Sequence, residues 1–502
     1  MQTLPEELDR NKPSETQWDA VQREVEEARK WLRRGLDRLV GPDADFAERE
    51  RTLLLLSGEA CRRNLADELQ VSAETYRTEY LRVDGKLYRH HQDGSALYHS
   101  LCGSMRINRP TYRAVRERNS ATVVPLELHL GLIANATPAL AYRVALGDAQ
   151  CPGRQWEQQM QASLRVPPSR STLERMAKAI GTAAKAVAPQ LEPMVRRLED
   201  LPAQAHAIAL GLDRTTVPME ELRVGPADPN RKRRRTPYIR KKPEPIDVNY
   251  RMAYVGTVTV NDTHGDALAT FRYCASADEG PTAVVDSMMA DIKHAQQARR
   301  QERRSALTVG IVQDAAPELW SLLEVALGNL GLQAWHSVID RFHLTERLAQ
   351  ALQMLPFQKV DRERRLASWR LELERDDAAI DRIERYLASK IHNYARLCAQ
   401  AHRPPVFADH RALLDHLGYI RNHKGKMRYA STRLLGLPTG SGATEGACKS
   451  LVMIRAKRCG QRWHTRGVNS VLTLRSYYMS ERLPAFWSVF ADHNRAVLSI
   501  AA

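Results

Sequence analysis

The chain has 502 residues, too many for one ordinary domain, so about three are expected. Hydrophobic residues make up 43% and charged residues 27%, which provides for real cores and excludes a mainly disordered chain. Lysine and arginine total 75 against 59 acidic residues, a formal charge of +16, and this balance favours an acidic partner, most commonly nucleic acid.

No apolar run is long enough to cross a bilayer, and the opening Met1-Gln2-Thr3-Leu4-Pro5 lacks the pattern of a signal peptide. The seven cysteines are scattered without a Cys-x-x-Cys pair, which reads as reduced, cytosolic thiols. Residues 17–40 predict a helix, since Trp18, Val21, Val25, Ala28, Leu32, Leu36 and Leu39 recur at helical spacing. A second helix is expected over 46–69, with Leu53, Leu54, Leu55 and Leu56 in the core. Tyr80-Leu81-Arg82-Val83, the turn Asp84-Gly85 and Lys86-Leu87-Tyr88-Arg89 form a hairpin pattern. A further strand pair is expected over 96–101 and 105–112, with Cys102 in its core.

Helices return over 137–182. Thr137 before Pro138 is a start signal, and Ser171 with Glu174 has capping-box spacing. These short helices resemble a helix-turn-helix, a DNA-binding arrangement, although a plain helical connector has the same pattern. From 206 onward the pattern becomes α/β. Strands are expected at 208–213, 254–260, 267–274, 307–314 and 334–340, with helices at 284–301 and 317–330. Three strands in succession can form an antiparallel meander. The last two need crossover helices, so a mixed five-stranded sheet follows. Arg231, Lys232, Arg233, Arg234 and Arg235 interrupt the first connection, as a solvated loop or as a grip on phosphates. Residues 344–435 read as helical.

Three acids occupy corresponding places: Asp213 ends the first strand, Asp314 ends the fourth, and Glu445 opens a helix beyond the fifth. The carboxyl ends of neighbouring strands lie close together in such sheets, at the edge where ligands bind. Carboxylates there suit Mg²⁺, and two such ions can activate an attacking oxygen and stabilise a leaving oxygen at a phosphodiester. Each acid has a plainer use as well: Asp314 as a helix cap, Asp213 as a partner of Arg214, Glu445 as a favourable charge in a first helical turn. After Glu445 come Lys449, Arg455, Lys457, Arg458 and Arg462, which could hold phosphates, and Trp463, which could stack on a base or simply pack.

Five stretches carry a family likeness: Gly211-Leu212-Asp213-Arg214-Thr215-Thr216-Val217-Pro218-Met219, Gln313-Asp314-Ala315-Ala316-Pro317-Glu318-Leu319-Trp320, Asp340-Arg341-Phe342-His343-Leu344, Gly440-Ser441-Gly442-Ala443-Thr444-Glu445-Gly446-Ala447-Cys448-Lys449, and Arg458-Cys459-Gly460-Gln461-Arg462-Trp463. Together, over about the last three fifths of the chain, they resemble an RNase H-like DDE transposase of bacterial insertion sequences, in the Kra-type group and related to the Mutator-like and hAT-like branch. The resemblance implies an RNase H-like catalytic core with a helical insertion, preceded by α+β and helix-turn-helix-like DNA-binding regions. It implies Asp213, Asp314 and Glu445 as ligands of Mg²⁺, with Mn²⁺ as a substitute, and Asp340 with His343 as an auxiliary pair. Asp340 also ends a strand and is a rival second ligand.

The expected regions are 1–76 helical, 77–135 β-rich, 136–200 helical, 201–343 the first part of the core, 344–435 the insertion, and 436–502 the second part with its tail. The partners implied are double-stranded DNA, at transposon ends and target, and a second or further copies of the chain. The location implied is the bacterial cytoplasm, at the nucleoid, without a membrane. Relatives often have a cysteine-pair zinc knuckle where this chain has 112–118 without such a pair, so zinc is not expected. A non-catalytic DNA-binding regulator and a structure-selective nuclease on the same fold are the alternatives.

Overall fold

The structure, a computed structural model, describes residues 15–41, 43–117, 119–163, 165–222, 246–400, 407–458 and 460–500. The chain opens with α1 (Glu15–Leu39) and α2 (Phe46–Thr75), followed by β1 (Tyr80–Val83), β2 (Lys86–Ser100) and β3 (Gly103–Ala114). Helices α3 (Pro125–Leu130), α4 (Pro138–Gln150), α5 (Gly153–Ala162) and α6 (Arg170–Arg197) come next. The α/β part runs β4 (Ala207–Leu222), β5 (Ile246–Asn261), β6 (Ala267–Ala275), α7 (Thr282–Gln301), β7 (Thr308–Gln313), α8 (Pro317–Asn329) and β8 (His336–Ile339). Five helices follow: α9 (Arg341–Met354), α10 (Lys359–Arg375), α11 (Ala379–Gln400), α12 (Phe407–His423) and α13 (Tyr429–Leu434). The chain ends with α14 (Gly442–Ala447), a π-helical segment (Cys448–Met453), α15 (Ile454–Ala456), α16 (Thr465–Met479), α17 (Leu483–His493) and β9 (Leu498–Ile500). No helix among the described residues is long and apolar enough to cross a membrane.

Two compact units divide the chain. The first comprises Met1–Gly147, Cys151–Ala179 and Ala491–Ala502, and the second Asp148–Gln150 and Ile180–Phe490. The division falls inside α6. Residues 491–502 group with the first unit, where β9 pairs antiparallel with β1. Three residues are too few to register as a strand in sequence.

In the first unit the sheet order is β3-β2-β1-β9. Asp84 (φ 48°) and Gly85 (φ 81°) make the expected tight turn, with the left-handed backbone that such a hairpin requires. The strand after it does not stop at Arg89. It runs on to Ser100 and pairs with β3 along its length, with one bulge between His90 and Gln92. Tyr98, Met105, Ile107 and Leu126 form the core beneath α2. Two expectations fail here. Leu54 (52% exposed) and Leu55 (47%) face outward, since four consecutive leucines at 100° each must spread round the helix. Cys102 lies in the β2–β3 turn and is only half-buried. The Ser171–Glu174 capping box is also absent, because α6 already begins at Arg170, ahead of Ser171, and Ser169 hydrogen-bonds Thr172 Oγ1 (3.1 Å).

The second unit is a mixed five-stranded sheet of order β6-β5-β4-β7-β8. Strands β4, β5 and β6 are antiparallel, and β7 and β8 join parallel through crossover helices α7 and α8. Two glycines let helices approach opposite faces. A Cβ on Gly256 would lie 2.4 Å from Met288 Sδ of α7, and one on Gly211 would lie 1.9 Å from Thr444 Oγ1 of α14. Gly211 pairs across the strands with Thr257, and Gly256 with Leu212, so the two glycines face opposite sides of the sheet. The core runs continuously from Ile208, Leu210 and Val258 through Leu323 and Leu344 into the inserted helices at Trp369, Ile383 and Leu417. The basic run 231–235 lies outside the described residues.

Two buried imidazoles give the fold an acid sensitivity. Burial, then Arg175, holds His99 below the usual histidine range; burial, then Arg347, does the same to His416. Unfolding frees both to protonate near pH 6.5, so their contribution is fully present above about pH 6.5. It is lost as the pH falls through the lower folded-state values. Urea unfolding at pH 7.5 and 5.5 should show lower stability at the acid value, and His99→Gln with His416→Gln should flatten that difference.

Candidate active site

Asp213 lies in the middle of β4, not at its end as the sequence suggests. The antiparallel pairing with β5 continues without a break from Ala207↔Asn261 to Leu222↔Ile246. What ends near Asp213 is the other side of the strand. Parallel pairing with β7 stops at Leu210↔Ile311, and the two strands part. The amide of Leu212, beyond the last pair with β7, donates to Gln313 Oε1 at 3.1 Å. A cleft therefore opens between Asp213 and Asp314, which follows β7 directly.

Glu445 is brought to this cleft by the docking of α14. Thr444 is buried, and its Oγ1 lies 2.7 Å from Thr257 Oγ1 above Gly211. Ser441, at the start of α14, is anchored to Asp340: its amide donates to Asp340 Oδ2 at 2.6 Å, as does its hydroxyl. Asp340 Oδ1 accepts from Phe342 N at 2.5 Å and caps α9. This carboxylate is 1% exposed and already accepts three hydrogen bonds, so it braces the turn that carries Glu445. After Glu445 the helix widens into its π-helical segment, a local form frequent at functional sites. There Cys448 donates to Asp213 Oδ2 at 3.4 Å. Burial, then the charge of Asp213, pushes this thiol well above its usual range and keeps it a neutral donor.

Asp213, Asp314, Glu445, His343 and Gln313 line one small cleft of about 20 Å³, roughly one water-sized sphere. His343 Nε2 is 3.7 Å from Glu445 Oε1, and its Nδ1 is 3.6 Å from Glu346 Oε2; the ring is half-exposed and not packed away. Asp314 does not cap α8, whose cap position is Ala316; its Oδ1 accepts from Ala316 N at 3.2 Å, and Trp320 Nε1 pins its carbonyl at 2.5 Å. Burial, then the neighbouring Asp213, raises the Asp314 pKa. The plain alternative for Asp213 is not realised with the Arg214 side chain, which pairs with Glu318 at 2.7 Å. The carboxylate instead accepts from the Arg214 amide at 2.7 Å.

Among the described residues, the group whose ligand atoms lie within 4.8 Å of one another is Asp340, His343 and Glu445. Asp213 and Asp314 share the cleft with Glu445 without converging that tightly. The donor set is oxygen-rich, and the nearby Cys448 is a neutral thiol, which suits a hard divalent ion such as Mg²⁺.

The basic residues divide. Lys449 is exposed, its Nζ 3.5 Å from Glu445 Oε2, and Arg458 and Arg462 are exposed on the same side of the sequence. Lys457 is half-buried. Arg455 must be removed from the phosphate contacts. It is 4% exposed and its Nη2 pairs with Asp148 Oδ1 at 2.8 Å, a partner some three hundred residues away in sequence. Arg231, Arg233, Arg234 and Arg235 lie outside the described residues. Trp463 packs, with its Nε1 donating to Ala456 O at 2.9 Å.

Sequence reasoning assigned no role to Gln313, Thr444, Ser441 or Gly211. Only the glycine carried a readable signal, as a break in an otherwise apolar strand. Gly211→Ala should cost about 1–3 kcal/mol, because its methyl would overlap Thr444 Oγ1. Adding Thr444→Ala should recover part of that loss in a double-mutant cycle measured by urea unfolding. No protein-family model and no curated protein matches the chain.

Proposed function

We propose that the chain is a DDE transposase of a bacterial insertion sequence, with an RNase H-like core formed by β4 to β8 and completed by α14. The observation that carries this reading is the meeting of Asp213, Asp314 and Glu445 in one cleft, from a strand, a strand end and a helix beyond a helical insertion. Asp213, Asp314 and Glu445 would hold Mg²⁺, and Mn²⁺ in its place. The bound ion supplies Lewis-acid stabilisation of the oxygens that attack and leave at a phosphodiester. Asp340 keeps Glu445 in place through Ser441, and His343 faces Glu445 from α9. Lys449, Arg458 and Arg462 neutralise the backbone of double-stranded DNA beside the cleft. The helices ahead of the core read the transposon ends.

The reaction expected is hydrolysis at the element's end, followed by attack of the freed 3′-hydroxyl on a target phosphodiester. The test uses the full chain, Mg²⁺ and DNA from the flanks of its reading frame, with nicked and joined products resolved on denaturing gels. Nicking followed by joining is the expected result. Binding without nicking would replace this reading with a regulator, and nicking without joining would replace it with a nuclease.

A further inference from the structure

Helix α1 carries an exposed stretch in its middle. From Glu24 to Trp31 every side chain except Glu26 is exposed, including Val25 at 60% and Trp31 at 47%. After it Leu32 is half-buried, and Leu36 falls to 6% where Gly35 lies against Leu56 of α2. Yet the apolar spacing does not begin there. Trp18, Val21, Val25, Ala28 and Leu32 follow the three-four alternation of a coiled-coil seam, and Leu39 continues it. Among the described residues Val25 and Trp31 stay largely uncovered, and a helix with such an exposed apolar stripe is marginal in water. The stripe needs a cover.

Charge identifies the cover. Residues 15–27 carry five acidic residues against one arginine, and residues 28–39 carry five basic residues against one aspartate. The helix dipole favours such a bias only in the first and last turns, whereas here it extends through Glu24, Glu26 and Glu27 in the middle. Two such helices side by side in parallel would repel along their whole length. Set antiparallel, each acidic half meets a basic half. That arrangement is also the self-complementary one that a two-fold axis generates. We propose that α1 pairs antiparallel with α1 of a second copy of this chain, burying the stripe around Val25. The inference does not rest on the catalytic reading.

The test is sedimentation velocity of the full chain over micromolar concentrations, with helicity followed by circular dichroism. The wild-type chain should self-associate. Val25→Lys should weaken association at least about tenfold, as should Glu24→Lys with Glu27→Lys, and Arg33→Glu with Arg34→Glu. An equimolar mixture of the last two variants should restore it. A chain monomeric throughout would overturn the proposal. So would association that all three variants leave unchanged while helicity is retained, and so would loss with Val25→Lys alone, since parallel pairing gains nothing from opposite halves.

Discussion

Glu445→Gln is expected to lower Mg²⁺-dependent strand cleavage by about 10³-fold while leaving DNA binding intact. The substitution keeps the shape of the side chain and removes the charge that would face the cation. A metal ion contributes several kcal/mol of transition-state stabilisation, and each 1.36 kcal/mol is a factor of ten. The Glu445 side chain is 34% exposed, and its nearest basic partners, Lys449 at 3.5 Å and His343 at 3.7 Å, are loose contacts. The fold should therefore not notice the change. Asp340→Asn is the informative contrast. It alters a buried carboxylate that accepts from Ser441 and Phe342, so its loss of activity should come with a loss of stability, as breaking charge-assisted hydrogen bonds requires. Full cleavage by Glu445→Gln would remove Glu445 from the metal site.

The order of elements in the second unit was legible because its strands are apolar runs bounded by turns and its crossover helices carry proline at the start, as at Pro317. The acids were legible as positions in that order. Their surroundings were not. Asp213 looked like a strand end because the apolar run stops there, but the strand continues as Thr215, Val217 and Met219 pair with β5. Pairing across sixteen residues is a property of two segments, and neither reveals it alone. Arg455 looked like a phosphate ligand because it sits in a basic series, and only the fold shows Asp148 beside it. Gln313 stands in one of the stretches with a family likeness, but nothing local gives it a role. Its role follows from the divergence of β4 and β7, which no local pattern announces.

Arg482 is the clearest case of a cation that composition assigns to DNA and packing assigns to the interior. It is 6% exposed, and its fork binds Glu199 at 2.5 and 2.7 Å and Asp291 at 3.1 and 3.2 Å. Its guanidinium also lies 3.7 Å from the Phe271 ring centroid. Burial opposes the charge, but Tyr273, Asp291 and Glu199 more than offset it and hold the pKa above the ordinary value. Asp291 keeps a second partner in Arg196 at 2.7 Å, whereas Glu199 has no other ion pair among the described residues. Arg482→Ala should therefore cost about 3 kcal/mol, since the partly buried Glu199 loses its cation and Asp291 one of two. The same reasoning makes the double change Arg482→Leu with Glu199→Leu less costly than Arg482→Ala, because it removes the stranded carboxylate with its partner. Urea unfolding of the three chains separates the two ideas. If the double variant fell as far as Arg482→Ala, the stabilisation would reside in the packing of the arginine stem against Phe271 and not in its charge.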